Sequence, residues 1–319
     1  MDATQFLENL LQSLTAGLLT GALYGLMCVG LSLIFGVMRV INFAQGDFMM
    51  LGMYAAYYLF GLLGATAMFG FVANPYLAAL AAAPVIFVAG WLVHRTLVSR
   101  VTGLRGNALE SEGHYAQLIL TLGIALVLQN GGLYVFGSTP VSIPTPLSSN
   151  AWILGPLAGD RVEIFVNQGQ TICAAIAVLT VLGFVILMGR SRLGKSLRAA
   201  ADNPEAAIYM GIDVERSHRL AFGFGVAITA LGGGLLASGS PFQPYVGLDY
   251  VIIMYAGVVL GGLGSISGAF AGGLTIGLVQ QLSTLVLPNQ LQNSAIFVVF
   301  LVIILLRPQG LFGRAARRT

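Results

Sequence analysis

Residues 9–38 read NLLQSLTAGLLTGALYGLMCVGLSLIFGVM, and no charge falls between Glu8 and Arg39. These 30 residues, wound as a helix at about 1.5 Å per residue, reach about 45 Å, more than the hydrocarbon of a bilayer requires. The interval recurs. Asp47 to Arg95 leaves 47 uncharged residues, divided by Asn74-Pro75. Glu112 to Asp160 leaves 47, Glu163 to Arg190 leaves 26, Arg219 to Asp249 leaves 29, and Asp249 to Arg307 leaves 57. Backbone polar groups in lipid must be satisfied within the segment, so such runs are expected to be helical.

The rest of the composition agrees. The 319 residues are 57% hydrophobic and 8% charged, where soluble proteins carry about 25% charge. Mean hydropathy is +0.86. With 15 Lys and Arg and 12 Asp and Glu, the chain cannot build a polar skin, which excludes a soluble enzyme. A net charge of +3 also excludes a nucleic-acid reader. Cys28 and Cys173 sit in apolar runs without metal or disulfide spacing and read as core residues. The N-terminal MDATQFLENL has no basic residue, so no cleaved signal is expected.

The predicted fold is all-α: a polytopic transmembrane bundle forming one domain over 1–319, with about eight to nine membrane helices. The spans fall near 10–37, 47–69, 75–98, 115–137, 168–189, 219–239, 250–263, 268–287 and 291–306. The piece 250–263 is short for a crossing, so it and 268–287 form either a re-entrant hairpin or two crossings around a glycine break. Lys and Arg set the orientation. Arg39, the group Arg95 to Arg105, the loop 190–219 and the tail from Arg307 place 14 of the 15 positive residues on one face, with Arg161 opposite. That face is expected to be cytoplasmic, with the N-terminus periplasmic and the C-terminus cytoplasmic.

Gly189 to Ser196, GRSRLGKS, fits the P-loop pattern. A real P-loop follows a buried strand, and here a membrane span precedes it, so no nucleotide site is expected. Further along the loop, Asn203-Pro204-Glu205 reads as a helix start and Gly211 as its stop. A helix of about two turns is too short to persist alone, so something should hold it.

At these residues the chain resembles a known family. RAAADNPEAAIYMGID and the following LAFGFG are similar to the coupling loop of branched-chain amino acid (Liv-type) ABC-importer permeases. FGVMRVINFAQGDFMMLG (35–52), LGGLGSISG (260–268) and RPQGLFG (307–313) resemble further signatures of that family, in its order. Gln45 departs from the His that many members carry. The resemblance implies a bacterial inner-membrane subunit, paired with a second permease, often a different LivM-like chain. It also implies two cytoplasmic ATPases that bind the ATP and Mg, a periplasmic binding protein that delivers the amino acid, and no cofactor in this chain. Asn203, Pro204, Glu205, Ala206, Ala207, Met210 and Gly211 would then form the ATPase coupling element, with Ala206, Ala207 and Met210 as buried contacts sharing one face.

Two breaks interrupt the apolar pattern, Asn42 to Asp47 and Gly261 to Gly268. Irregular backbone at membrane depth is tolerated where it faces protein or a wet cavity, and it can offer amide and carbonyl groups to a zwitterion. Asn42, Gln45, Gly46, Gly261, Gly262, Gly264, Ser265 and Ser267 are therefore candidate pathway residues; tight turning and close packing are the other reading of both breaks. Gly17, Gly21 and Gly25, and again Gly264, Gly268 and Gly272, recur every four residues and suit helix contacts, within the chain or with a second permease. Tyr54, Tyr57, Tyr58, Tyr245, Tyr250 and Tyr255 are expected as interface anchors. No Asp, Glu, Lys or Arg is expected in the middle of a span, so no proton or sodium relay is expected either. The alternatives are a urea or short-amide permease, a stand-alone secondary transporter or channel, and a membrane enzyme, for which no paired titratable groups stand out.

Overall fold

The computed structural model describes residues 3–65, 74–102, 110–143, 145–157, 162–288, 291–307 and 310. Arg105, Arg161 and the tail beyond 310 lie outside them. In chain order the elements are α1 (Ala3–Met38), α2 (Gln45–Ala65) and α3 (Pro75–Val93), which continues through a π-helical turn (His94–Val98) into α4 (Ser99–Thr102). Then come α5 (Glu110–Phe136), α6 (Pro146–Ser149), β1 (Ala151–Leu157), β2 (Val162–Asn167), α7 (Gln168–Arg190), α8 (Arg192–Asp202) and α9 (Pro204–Tyr209). The chain ends with α10 (Val214–Leu236), α11 (Val246–Gly261), α12 (Ile266–Ser283) and α13 (Gln292–Leu306). This is a helical polytopic membrane protein. Five helices, those spanning Thr4–Met38, Pro75–Val101, Tyr115–Phe136, Gln168–Arg190 and Val214–Leu236, are long and apolar enough to cross a bilayer, and α11 and α13 are shorter apolar helices.

Burial sorts the helices. In α1, Leu26, Met27, Cys28, Val29 and Ile34 are wholly buried, because α7, α10, α11 and α12 pack around this helix. A helix apolar on every side belongs in such a centre. In α3, α5 and α7 the large residues Val88, Ile119, Val127, Leu179 and Ile186 are exposed, as a lipid-facing surface requires. Asn74, Asn167, Ser191 and Ser265 cap their helices through the side chain, satisfying backbone donors that lipid would leave unpaired.

The first glycine row is an internal contact. A Cβ on Gly21 would stand 2.9 Å from the Leu274 backbone, and one on Gly17 3.0 Å from Leu278. The α12 residues that answer this row are Gly273 and Gly277, whereas Gly268 and Gly272 face α11. Of the expected anchors, Tyr58 and Tyr245 are exposed, while Tyr54, Tyr250 and Tyr255 turn inward. Tyr54 is buried and stacks on Phe136 at 4.0 Å, Tyr250 meets Tyr24 edge-on and Tyr255 packs on Phe43. Neighbouring aromatics, invisible to local spacing, claim these rings for the core. Cys28 and Cys173 are free and buried.

A two-stranded antiparallel hairpin, β1 with β2, is the one addition to the all-α expectation among the described residues. Ala151 pairs with Asn167 and Ile153 with Phe165. Its β-branched and aromatic residues favour extended backbone. Gln12 of α1 ties to it twice, donating to the Phe165 carbonyl at 2.7 Å and accepting from the Phe165 amide at 3.0 Å. The hairpin therefore marks one end of the bundle. Arg39 marks the other, where it shares a cavity with Asp202, Asn203 and Pro204. Arg95, Arg100, Arg190, Arg192, Lys195, Arg198, Arg216, Arg219 and Arg307 gather at this same α8–α9 end, on helix termini that meet there.

Candidate functional site

After Arg39, itself at φ 53°, the chain does not stay at the α8–α9 end. Val40 to Ala44 turn back into the bundle, and α2 begins deep inside it. Gln45 fixes the depth: its side-chain amide donates to the Gly225 carbonyl at 3.2 Å and to Thr229 Oγ1 at 2.6 Å. Thr229 in turn donates to the Met27 carbonyl of α1 at 3.2 Å. From Met27 to Met38 is about 16 Å of helix at ~1.5 Å per residue, so the chain re-enters the bundle by roughly that depth before a turn at Phe43 and Ala44 starts α2. Asn42 completes the knot, donating to Gln45 Oε1 at 2.9 Å and accepting from the Ala44 amide at 3.2 Å. Asn42 and Gln45 are fully buried, and their amides bond within the chain. Gly46 lies against the Gly247 backbone at the start of α11, so close that a Cβ would overlap its carbonyl oxygen.

One expectation is corrected here. Asp47, treated in the sequence as the watery end of a span, is 2% exposed in the first turn of α2, and its Oδ1 has no hydrogen-bond partner. A carboxyl is therefore enclosed within the bundle and not set at the watery end of a span. Counting from charge to charge assumes that every charge marks water, and a re-entrant segment breaks that assumption. The N-terminal end of α2 favours an acidic group there.

The second break is a tight turn at the α8–α9 end. Gly262 (φ 96°) and Gly264 (φ 82°) adopt backbone that L side chains rarely take. Ser265 caps α12, its Oγ accepting from the Gly268 amide at 3.1 Å, and its carbonyl accepts from Ser32 of α1 at 3.3 Å. Gly261 and Gly268 meet backbone to backbone, as do Gly257 and Gly272. So α11 and α12 are the two limbs of a hairpin whose turn rests on Gly36 of α1. A cavity of about 480 Å³ opens beside it, lined by Ser32, Gly36, Arg198, Asp202, Gly264 and Ser267 among others. Gly264 and Ser267 thus face the loop that leads to α9, while Asn42, Gln45 and Gly46 line none of the main cavities. A second, polar cavity of about 240 Å³ lies at the hairpin end, among Thr20, Tyr24, Asn167, Ser238 and Gln280.

The loop 190–219 is more ordered than its sequence suggests. GRSRLGKS covers the end of α7 and the start of α8, separated only by Ser191, so no strand precedes it. Leu197 and Ala200 fix α8 to the bundle. In α9, Asn203 accepts from the Ala206 amide at 3.0 Å, Pro204 takes the first turn, Glu205 faces the helix N-terminus, and Gly211 reverses the chain at φ 78°. Its faces differ from the expected ones. Ala207 is 4% exposed and packs on Ala200 and Val214 beneath the helix, so it is not on the free face. Ala206 is exposed, and Met210 is free together with Ile208 and Tyr209, at 81%, 46% and 89% exposure. Spacing groups residues on a face but, in so short a helix, did not say which side of α9 met the bundle. Ile208 and Tyr209 were missed for this reason.

An α-helical membrane protein with one re-entrant break, a glycine-knit helical hairpin and an apolar helical tip at its basic end has the form of a transport subunit. Comparison with known proteins identifies which kind. Residues 13–306 match the family described as the branched-chain amino acid transport system permease component, and the chain belongs to that family. It is 32% identical to the high-affinity branched-chain amino acid transport system permease protein BraD of Pseudomonas aeruginosa, over 95% of this chain and 96% of the relative. It is 29% identical to LivH of Salmonella typhimurium over the same shares, and 28% identical to a probable LivH of Methanocaldococcus jannaschii over 90% and 88%. No solved structure matches.

Proposed function

We propose that this chain is one of two transmembrane subunits of an ATP-driven importer that carries branched-chain amino acids across the bacterial inner membrane. The match to the permease family over residues 13–306 carries the reading. A second permease, often a different chain, completes the pathway; two cytoplasmic ATPases bind ATP and Mg and supply the energy; a periplasmic protein delivers the substrate. The gathering of the described Lys and Arg at the α8–α9 end supports a cytoplasmic assignment for that end and a periplasmic one for the N-terminus.

In this account α9 is the ATPase contact. Its exposed Tyr209 and Met210 are apolar groups without a partner in this chain, and Met adapts readily to a partner surface. Motion at α9 reaches the membrane through α8, whose Arg198 and Asp202 border the cavity that holds Gly264 and Ser267. The α11–α12 turn is then the element that opens and closes the inner end of the route. Uptake of labelled leucine in cells lacking this chain, restored by the chain and competed by valine but not by urea, is the expected outcome. Competition by urea alone would move the reading to an amide permease.

A stand-alone secondary transporter is the one rival with an observation in its favour, the buried carboxyl of Asp47. Asp47→Asn separates the two. An ATP-driven importer keeps its dependence on ATP and its indifference to a proton gradient. Loss of gradient-driven uptake in this variant would support the rival.

A further inference from the structure

Trp91 lies near the end of α3 at the basic end of the bundle, and two guanidinium groups lie within cation–π range of its indole. Arg95, one turn on, has Cζ 5.3 Å from the ring centroid, and Arg219 of α10 has Cζ 5.9 Å from it. Among the described residues neither makes an ion pair with a carboxylate, and the Arg219 Nε is buried without a hydrogen bond. Behind them His94 is 1% exposed with neither ring nitrogen bonded, its ring against Phe222. Glu215, one turn before Arg219 on α10, is exposed. Two positive groups thus share one aromatic platform.

The surroundings say which anion would suit them. Leu92 of α3 and Leu97 of the following π-helical turn are 52% and 41% exposed, so the platform lies at the boundary between lipid-facing and basic surface. Trp favours that depth. A guanidinium at the edge of hydrocarbon calls for a charged acceptor, and phosphate oxygens match its fork of donors. The phosphates available at that depth belong to the lipids themselves. We propose that Trp91, Arg95 and Arg219 form a binding site for the headgroup phosphate of an anionic phospholipid, in the leaflet on the α8–α9 side.

The chain contains two tryptophans, and the second, Trp152, sits on β1 at the opposite end. With Trp152→Phe, Trp91 becomes the sole reporter. The full-length variant is placed in nanodiscs of zwitterionic lipid containing a small equal fraction of either doxyl-labelled phosphatidylglycerol or doxyl-labelled phosphatidylcholine, and Trp91 fluorescence is recorded. Two arginines at an anionic headgroup lead to a preference of roughly tenfold or more for the anionic quencher. Arg95→Gln with Arg219→Gln should abolish it, and Arg190→Gln with Arg192→Gln, which removes the same charge elsewhere, should leave it intact. Millimolar inorganic phosphate should not displace the lipid; displacement would assign the site to free phosphate instead. Equal quenching by the two lipids overturns the proposal without recourse to any arginine variant. Equal loss in both double variants overturns it in favour of general surface charge.

Discussion

Gly261 and Gly264 lie three residues apart in the same turn, and the structure requires glycine at each for a different reason. Gly264 has φ 82°, yet a Cβ there would stand 3.4 Å from Gly36 Cα, an ordinary contact. The penalty for Gly264→Ala is therefore conformational, about 1–2 kcal/mol for a left-handed L residue. Asn tolerates this region, so Gly264→Asn should recover much of it. Gly261 is right-handed within α11, but its Cβ would overlap the Gly268 backbone and lie 2.7 Å from the Ala269 amide. Neither partner is a flexible side chain. Gly261→Ala must push α11 from α12, an overpacking cost of about 1–3 kcal/mol, and Gly261→Asn should be worse. Gly264→Leu carries the same conformational penalty as Ala, about 1–2 kcal/mol, and puts its bulk into the cavity. The assay is thermal stability of detergent-solubilised, fluorescently tagged permease by size exclusion, with leucine uptake measured at matched abundance. The expected order at 264 is Gly, Asn, then Ala with Leu, and at 261 Gly, Ala, Asn. Asn failing at both positions, or Gly264→Leu giving wild-type stability and uptake, would refute this division.

Gln45→Leu removes the donor that holds Thr229 and Gly225 and strands Asn42, and should lower stability by about 1–3 kcal/mol, read as a lower melting midpoint. Ala207→Glu places a carboxylate beneath α9 against Ala200 and Val214 and should loosen the whole loop, seen as faster proteolysis between 190 and 219 even without partners. Met210→Glu with Tyr209→Glu should leave that proteolysis unchanged yet reduce co-purification of the ATPases at least severalfold. In a Cys28→Ser, Cys173→Ser background, an impermeant thiol reagent added from outside should label Asn150→Cys and leave Arg198→Cys untouched; the reverse pattern would invert the orientation.

Much of the bundle was legible because membrane helices announce themselves by length without charge, and each of the nine expected segments coincides with a helix. The cap at Asn203 and the reversal at Gly211 were legible from local chemistry. What escaped depended on neighbours far along the chain. The inward turn of Tyr54 needs Phe136 and Phe242. The depth of Gln45 needs Thr229, which is 184 residues away. Asp47 misled because burial, and not charge, decides where water ends. The side of α9 that is free was set by Ala200 and Val214, outside the helix itself. The glycine turn was found by composition, but which glycine serves conformation and which serves contact required φ values and the opposing backbone.

The account rests on this chain's being moved by partner ATPases, and reconstitution tests that most directly. Proteoliposomes would carry this permease, its partner permease, the two ATPases and the substrate-binding protein, with labelled leucine on the binding-protein side. Accumulation that requires ATP and the binding protein, and that disappears when the ATPases are omitted or Tyr209 and Met210 are both changed to Glu, is the predicted result. Leucine flux through the permeases alone, unaffected by ATP or by those two substitutions, would contradict it.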